Sequence, residues 1–171
     1  MKIVFVGYMA SGKSAVAKAV SKELNLDLVD LDTYIETKEQ LSIPQIFEKH
    51  GEIYFRKKET FYLKELLQRT DSFILSVGGG TPCFGDNMNS ILENAVSLYL
   101  RATVQTIFNR VIHEKAQRPL VASIADENLQ EFIAKHLFER TPFYDRANHI
   151  VSVNDKNIAE ISKEIIELIN G

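Results

Sequence analysis

The sequence predicts an α/β fold in three layers, with a five-stranded parallel sheet covered by helices on both faces. Five short apolar runs alternate with longer segments whose apolar residues recur at helical spacing. Hydrophobic residues make up 45% of the 171-residue chain and charged residues 25%, which is typical of one compact globular domain. A glycine-rich loop follows the first apolar run, and ligands of such folds bind beyond the carboxyl ends of the strands.

The order of strands and helices follows from these runs. Strands are predicted at residues 2–6, 26–30, 73–77, 95–100 and 148–153. Helices are predicted at residues 14–24, 33–40, 52–68, 104–112 and 157–169, with a further helix beginning at Ser42. Thr33 and Glu36 have the spacing of a capping box, and Pro44 suits a first helical turn. Phe55, Phe61 and Phe138 are expected in the core.

Residues 112–125 interrupt this alternation. The segment is polar, contains Pro119, and has a helical pattern only at its edges. We therefore expect a mobile lid over residues 112–124.

Composition and charge exclude several kinds of function. The formal net charge is −3, whereas proteins that bind nucleic acid are more often basic, so no nucleic-acid partner is expected. Cys83 is the only cysteine, which rules out an intrachain disulfide and a zinc site built from cysteines. No segment is long and apolar enough to span a membrane. These features favour a cytoplasmic protein.

The strongest motif lies between the first strand and the first helix. Residues 7–14, GYMASGKS, fit the phosphate-binding pattern G-x-x-x-x-G-K-[ST] at every fixed position. Glycines at such a turn let successive backbone N–H groups face one anion, and the helix dipole adds positive potential. Lys13 is expected to reach the β- and γ-phosphates, and Ser14 is expected to bind Mg²⁺. This P-loop predicts a nucleoside triphosphate site.

Two carboxylates follow the second strand. Asp30 and Asp32 are two residues apart, so in an extended chain both would point to one side, near the P-loop. One is expected to hold Mg²⁺ through water, and the other to orient or deprotonate an attacking hydroxyl. Asp32 alternatively caps the helix that follows.

Other candidates have two interpretations each. Arg56 and Glu59 share a helix face, either as a surface ion pair or as an arginine held towards a substrate carboxylate. The glycines at residues 78–80 form either a tight turn or a backbone surface that binds a substrate hydroxyl. Arg118 and Arg140 are either solvated or provide charge for phosphoryl transfer.

Together these residues resemble the shikimate kinase family, whose fold is related to that of nucleoside monophosphate kinases. The resemblance follows the chain in order through the P-loop, Asp30-Leu31-Asp32, Phe55-Arg56 with Glu59, residues 78–80, Arg118-Pro119-Leu120, and Arg140 with Tyr144. It implies ATP-dependent phosphorylation of the 3-hydroxyl of shikimate, a transferase reaction on the pathway to chorismate and the aromatic amino acids. It also implies a single domain, with residues 32–60 as a substrate-binding insertion.

The resemblance assigns roles position by position. Asp32, Lys13 and Arg118 would be catalytic. Ser14 would bind Mg²⁺ directly, and Asp30 would bind it through water. Shikimate would be bound by Asp32, Arg56, Gly78, Gly79, Gly80 and Arg140. ATP would be bound by Gly7, Ala10, Ser11, Gly12, Lys13, Ser14, Ala15, Arg118 and Asn154. The partners would be these two small molecules, and the protein would act as a monomer.

Two competing hypotheses remain. A related P-loop kinase of another hydroxylated acid, such as gluconate, would share the P-loop but should lack Arg56 and Arg140 together with the triple glycine. A regulatory module that binds a nucleotide without catalysis would not need Lys13, Ser14 and Arg118 intact. Within the resemblance itself, Ala10 stands where many members have glycine, and Val111 falls where the family pattern has an arginine.

Overall fold

The computed structural model describes all residues from Met1 to Gly171 and contains one five-stranded sheet. The strands are β1 (Lys2–Val6), β2 (Asp27–Asp30), β3 (Phe73–Ser76), β4 (Val96–Arg101) and β5 (His149–Ser152). Their order across the sheet is β2-β3-β1-β4-β5, and every neighbouring pair is parallel. The predicted five-stranded parallel sheet is therefore confirmed.

Eight helices connect and flank the strands. They are α1 (Lys13–Leu24), α2 (Leu31–Glu39), α3 (Ile43–His50), α4 (Glu52–Leu67), α5 (Asn87–Asn94), α6 (Val104–Val111), α7 (Asp126–Tyr144) and α8 (Ile158–Asn170). Two short 3₁₀ turns lie at Thr81–Cys83 and Lys115–Gln117. None of the helices combines the length and the apolar character that crossing a membrane requires.

The centre of the sheet forms the core and fixes the position of the loops. In β1, Ile3, Val4, Phe5 and Val6 are completely buried, as expected for a parallel strand covered on both faces. Strand β1 pairs with β3 and β4, and β2 ends beside β3, where Asp30 lies opposite Ser76. The segments after β1, β2 and β3 therefore emerge side by side at one edge of the sheet.

Helix ends follow the local sequence, with one correction. Ser42 caps α3 in a capping box with Gln45, and Asn157 caps α8 in the same way with Glu160. The capping box predicted at Thr33 is wrong. Asp30 caps α2 instead by accepting a hydrogen bond from the Thr33 N–H, because the helix begins directly after the strand.

Two helices and two side chains depart from the predictions. Helix α7 went unpredicted because its buried Leu129, Ile133 and Leu137 form a narrow stripe, and Pro142 lies within it. Helix α5 has only eight residues, three of them asparagine. The assignment of Phe61 and Phe138 to the core is wrong, since they are 57% and 81% exposed, while Phe55 is buried as predicted.

We predict that the substitution Leu98→Ala, at a fully buried position of β4, lowers the free energy of unfolding by about 2–5 kcal/mol, because it removes buried methyl groups and leaves a cavity. The matched control is Leu168→Ala in α8, where the leucine is 38% exposed and less apolar area is lost. Urea unfolding of both variants measures the difference. Equal losses would contradict the burial described above.

Candidate active site

A cavity of about 510 Å³ opens at the edge of the sheet where β1, β2 and β3 end. It lies between the P-loop, the start of α2, the glycine segment after β3, and the region that follows α6. The structure brings ten of the predicted site residues to its walls. These are Ala10, Gly12, Lys13, Ser14, Ala15, Asp30, Asp32, Gly78, Gly79 and Arg118.

The P-loop is curled, with its backbone turned around the amino end of α1. Gly12 has a φ of 93°, and a side chain on Gly7 would lie 2.9 Å from the Leu100 carbonyl oxygen. Lys13 Nζ donates to the carbonyl oxygens of Gly7 (2.7 Å) and Tyr8 (3.0 Å). This geometry provides backbone N–H groups and a cation for phosphate oxygens.

Ala10 occupies a conformation that favours glycine. Its φ is 60°, and a left-handed conformation costs an L-residue with a Cβ about 1–2 kcal/mol. Arg110 Nη1 donates to the Ala10 carbonyl oxygen at 2.7 Å. The small alanine fits, and helix α6 is hydrogen-bonded to the P-loop at this point.

Asp30 and Asp32 reach the cavity by a different route from the one predicted. They do not both lie on an extended strand, because β2 ends at Asp30 and Asp32 lies in the first turn of α2. The cap is Asp30, so the alternative that Asp32 caps this helix is wrong. Both carboxylates nevertheless line the cavity.

The surroundings of Asp32 disfavour its charged form. Burial, followed by the nearby carboxylates of Asp30 and Glu59, raises the pKa of Asp32 to about 6. Burial, followed by the positive charge of Arg140, lowers the pKa of Lys13 to about 8. A carboxylate with a raised pKa is a stronger base once deprotonated, and it lies in the same cavity as a cation suited to phosphate.

Each of the three consecutive glycines faces one charged side chain. A Cβ atom on Gly78 would lie 3.8 Å from both carboxylate oxygens of Asp32. On Gly79 it would lie 3.0 Å from Arg140 Nη1, and on Gly80 it would lie 2.7 Å from Arg56 Nη2. The absence of side chains lets the three charged groups converge on one stretch of backbone.

Arg56 is held by a buried partner. Its Nη1 donates to Glu59 Oε1 at 2.8 Å, and Glu59 is only 1% exposed. The alternative of a surface ion pair is therefore wrong. Glu59 Oε2 accepts a second hydrogen bond, at 2.8 Å, from the hydroxyl of Thr81.

Arg140 is held differently, without an ion pair. Its guanidinium lies 5.8 Å from the centre of the Tyr8 ring, and the Tyr8 hydroxyl is 2.9 Å from His136 Nδ1, one turn earlier in α7. Tyr144, one turn later, donates to the Gly79 carbonyl oxygen at 2.5 Å. Helix α7 is thus anchored at the P-loop and at the glycine segment, on either side of Arg140.

Arg118 lies in the segment predicted as a lid. It forms an ion pair with Glu114 at 2.7 Å, and both side chains line the cavity. The segment contains a 3₁₀ turn and the fully buried Val121, so it packs against the core in this structure. Its mobility stays a prediction.

Six of the predicted site residues do not line the cavity. They are Gly7, Ser11, Arg56, Gly80, Arg140 and Asn154. The side-chain oxygen of Asn154 accepts hydrogen bonds from Thr103 N (3.0 Å) and the Thr106 hydroxyl (2.9 Å). That oxygen caps the start of α6 together with Thr103. A contact between Asn154 and ATP stays a prediction.

Sequence patterns did not single out three side chains that contact the site residues. Thr81 bonds Glu59, while Tyr8 and His136 support the region of Arg140. Tyr8 occupies a variable position of the P-loop motif, and His136 is one of many polar residues on α7. Only Thr81 carried a signal, because it directly follows the triple glycine.

Comparison with known proteins identifies the family. A family model described as "Shikimate kinase" matches residues 9–170. A shikimate kinase of Flavobacterium johnsoniae is 45% identical over 169 residues, which are 98% of each chain.

Solved structures agree with this match. The crystal structure of shikimate kinase from Bacteroides thetaiotaomicron has a TM-score of 0.91 and 32% identity, covering 100% of this chain and 99% of that one. Shikimate kinase from Acinetobacter baumannii, in complex with shikimate, has a TM-score of 0.87 and 31% identity, covering 99% of this chain and 92% of that one. With ten of the predicted site residues lining one cavity and the sequence matched along nearly its whole length, the chain belongs to the shikimate kinase family.

Proposed function

We propose that this protein is a shikimate kinase, which transfers the γ-phosphoryl group of ATP to the 3-hydroxyl of shikimate and so contributes to the synthesis of chorismate and the aromatic amino acids. The observation that carries the proposal is the convergence of Asp32, Arg56 and Arg140 on the backbone of residues 78–80, beside a P-loop. This arrangement offers cations for a carboxylate, and a carboxylate and backbone groups for hydroxyls.

At the glycine segment that borders the cavity, which we call the acid end, Arg56 and Arg140 bind the carboxylate of shikimate. A planar guanidinium suits bidentate pairing with a carboxylate, and Arg56 is already oriented by Glu59. The backbone of residues 78–80 and Asp32 bind the ring hydroxyls. These contacts fix the ring so that its 3-hydroxyl faces the P-loop.

At the phosphate end, the P-loop backbone binds the phosphates of ATP. The hydroxyl oxygen of shikimate forms a bond to the γ-phosphorus, the bond to the bridging oxygen of ADP breaks, and Asp32 takes the hydroxyl proton. Lys13 and Arg118 stabilise the negative charge on the transferred group. Arg118 can do so once ATP competes with Glu114 for its guanidinium.

The side chains at this end also fit Mg²⁺. Mg²⁺ prefers oxygen ligands, keeps several waters, and takes only one or two ligands from the protein beside the phosphates. Ser14 and Asp30 both line the cavity and supply oxygen ligands, so Ser14 would hold the ion and Asp30 its waters. The ion would neutralise charge on the β- and γ-phosphates.

The remaining parts of the proposal concern organisation and setting. Residues 32–60 act as the substrate-binding region and residues 112–124 as a lid whose closure excludes water from the reaction. The protein works as a monomer in the cytoplasm, on ATP and shikimate alone. Its net charge of −3 supports the absence of a nucleic-acid partner.

Gluconate kinase and a noncatalytic regulatory module are the competing functions. We predict that release of ADP, measured by a coupled assay, depends on shikimate and is not supported by gluconate. The two arginines beside residues 78–80 match the carboxylate of shikimate. Turnover of gluconate alone would contradict the proposal, and binding of ATP without phosphorylation of either acid would favour the regulatory module.

We predict that Arg56→Ala raises the KM for shikimate about 10- to 100-fold, because a charge-assisted hydrogen bond to the carboxylate is lost. The KM for ATP should stay near its original value, since the P-loop is untouched. Lys57→Ala is the matched control, because Lys57 is the exposed neighbour on the same helix. Steady-state kinetics measure both constants, and an unchanged KM for shikimate would contradict a clamp at Arg56.

We predict that kcat/KM for shikimate falls as the pH drops through about 6. The pKa of Asp32 is about 6, and protonation below that pH removes the base that accepts the hydroxyl proton. Above it Asp32 is charged, and the rate should level off until the pH approaches about 8, where Lys13 begins to lose its proton. The pH–rate profile measures this dependence.

The control for this profile is Asp32→Asn, which cannot accept the proton. Its turnover should fall by at least about 100-fold with ATP binding retained, and its residual activity should lose the acidic limb. Loss of ATP binding along with turnover would instead indicate a structural role for Asp32.

A further inference from the structure

We propose that Thr81 is a positioning residue for the acid-binding arginine: its hydroxyl holds the Glu59 carboxylate in the orientation that points Arg56 at the glycine backbone. The inference rests on the proposed function, because it assigns Arg56 to the shikimate carboxylate. Thr81 is uncharged and is not one of the site residues predicted from the sequence motifs. Its basis is a buried chain of hydrogen bonds behind the cavity wall.

The two oxygens of Glu59 have different partners. Oε1 accepts from Arg56 Nη1 and Oε2 accepts from the Thr81 hydroxyl, each at 2.8 Å. Glu59 is 1% exposed and Thr81 is fully buried, so water cannot replace either donor without rearrangement. A buried carboxylate oxygen that loses its donor is costly, and the Thr81 hydroxyl therefore determines how the carboxylate is turned.

Thr81 is itself fixed in place. It begins the 3₁₀ turn after the glycines, and its N–H donates to the Gly78 carbonyl oxygen at 3.1 Å. The side chain of Asn87, also fully buried, donates to the Thr81 carbonyl oxygen at 2.9 Å. The hydroxyl thus comes from a turn that is held from both sides.

This chain links the two surfaces between which the acid would bind. Arg56 and Glu59 belong to α4, whereas Thr81 directly follows Gly80, the glycine against which the guanidinium rests. The hydrogen bond from Thr81 to Glu59 therefore fixes the position of Arg56 relative to the backbone of residues 78–80. Arg56 has only one other acidic neighbour, Glu52, which is 3.9 Å away and largely exposed.

The test compares two substitutions of Thr81. Thr81→Val keeps the branched shape but removes the donor, and Thr81→Ser keeps the donor but removes a methyl group. We expect Thr81→Val to raise the KM for shikimate about tenfold, with kcat and the KM for ATP changed less than about twofold. For Thr81→Ser all three constants should stay within about threefold of those of the wild-type protein, because serine keeps the hydroxyl donor.

A double-mutant cycle with Arg56 completes the experiment. If Thr81 acts through Arg56, adding Thr81→Val to Arg56→Ala should not raise the KM for shikimate further. The inference is overturned if the two effects multiply, if Thr81→Ser weakens shikimate binding as much as Thr81→Val does, or if Thr81→Val leaves the KM for shikimate unchanged. It is also overturned if the KM values for both substrates rise together with a loss of thermal stability, because that result indicates a purely structural role.

An assay of the wild-type protein distinguishes failure of this inference from failure of the proposed function. Turnover of shikimate by that protein tests the function, and its absence overturns both. Once turnover is present, only the comparison among the Thr81 and Arg56 variants decides the positioning role.

Discussion

The approach of charged side chains to bare backbone at residues 78–80 is the constraint on which the site depends. Arg56 Nη2 lies 2.7 Å from where a Cβ atom on Gly80 would be, so any side chain at Gly80 would collide with the guanidinium. Arg140 Nη1 lies 3.0 Å from where a Cβ atom on Gly79 would be, and Asp32 faces Gly78. Because these three groups come from α2, α4 and α7, the glycine segment is where separate parts of the fold meet.

The sheet supplies the rigidity that this convergence requires. Strand β3 is buried and lies between β2 and β1, so the backbone leaving it has little freedom to shift. The P-loop leaves the neighbouring strand β1, which is completely buried from Ile3 to Val6. The spacing between the P-loop and the backbone of residues 78–80 is therefore set by the pairing of two adjacent central strands.

Sequence reasoning predicted the elements whose signals are local. The P-loop motif, the five apolar strands and the start of a helix at Ser42 each depend on a few adjacent residues. Helix α7 could not be predicted in the same way, because its narrow apolar stripe is supplemented by contacts with α6 and the 3₁₀ turn at Thr81–Cys83. Glu59 was ambiguous for a related reason, since spacing shows that it shares a face with Arg56 but only the tertiary structure shows that it is buried.

The two arginines differ in their partners, and this difference determines the net charge at the acid end. Glu59 cancels the charge of Arg56, while Arg140 has an aromatic ring beside it and no carboxylate partner. Arg56, Glu59 and Arg140 together therefore carry a single net positive charge, which one carboxylate would neutralise, while the carboxylate of Asp32 faces Gly78 at the other end of the same segment. A neutral polyol would leave that charge uncompensated, and a dicarboxylate would bring one anion too many into a partly desolvated space. The local charge around the two arginines would thus favour a single carboxylate at this position, separately from the shape of the ring.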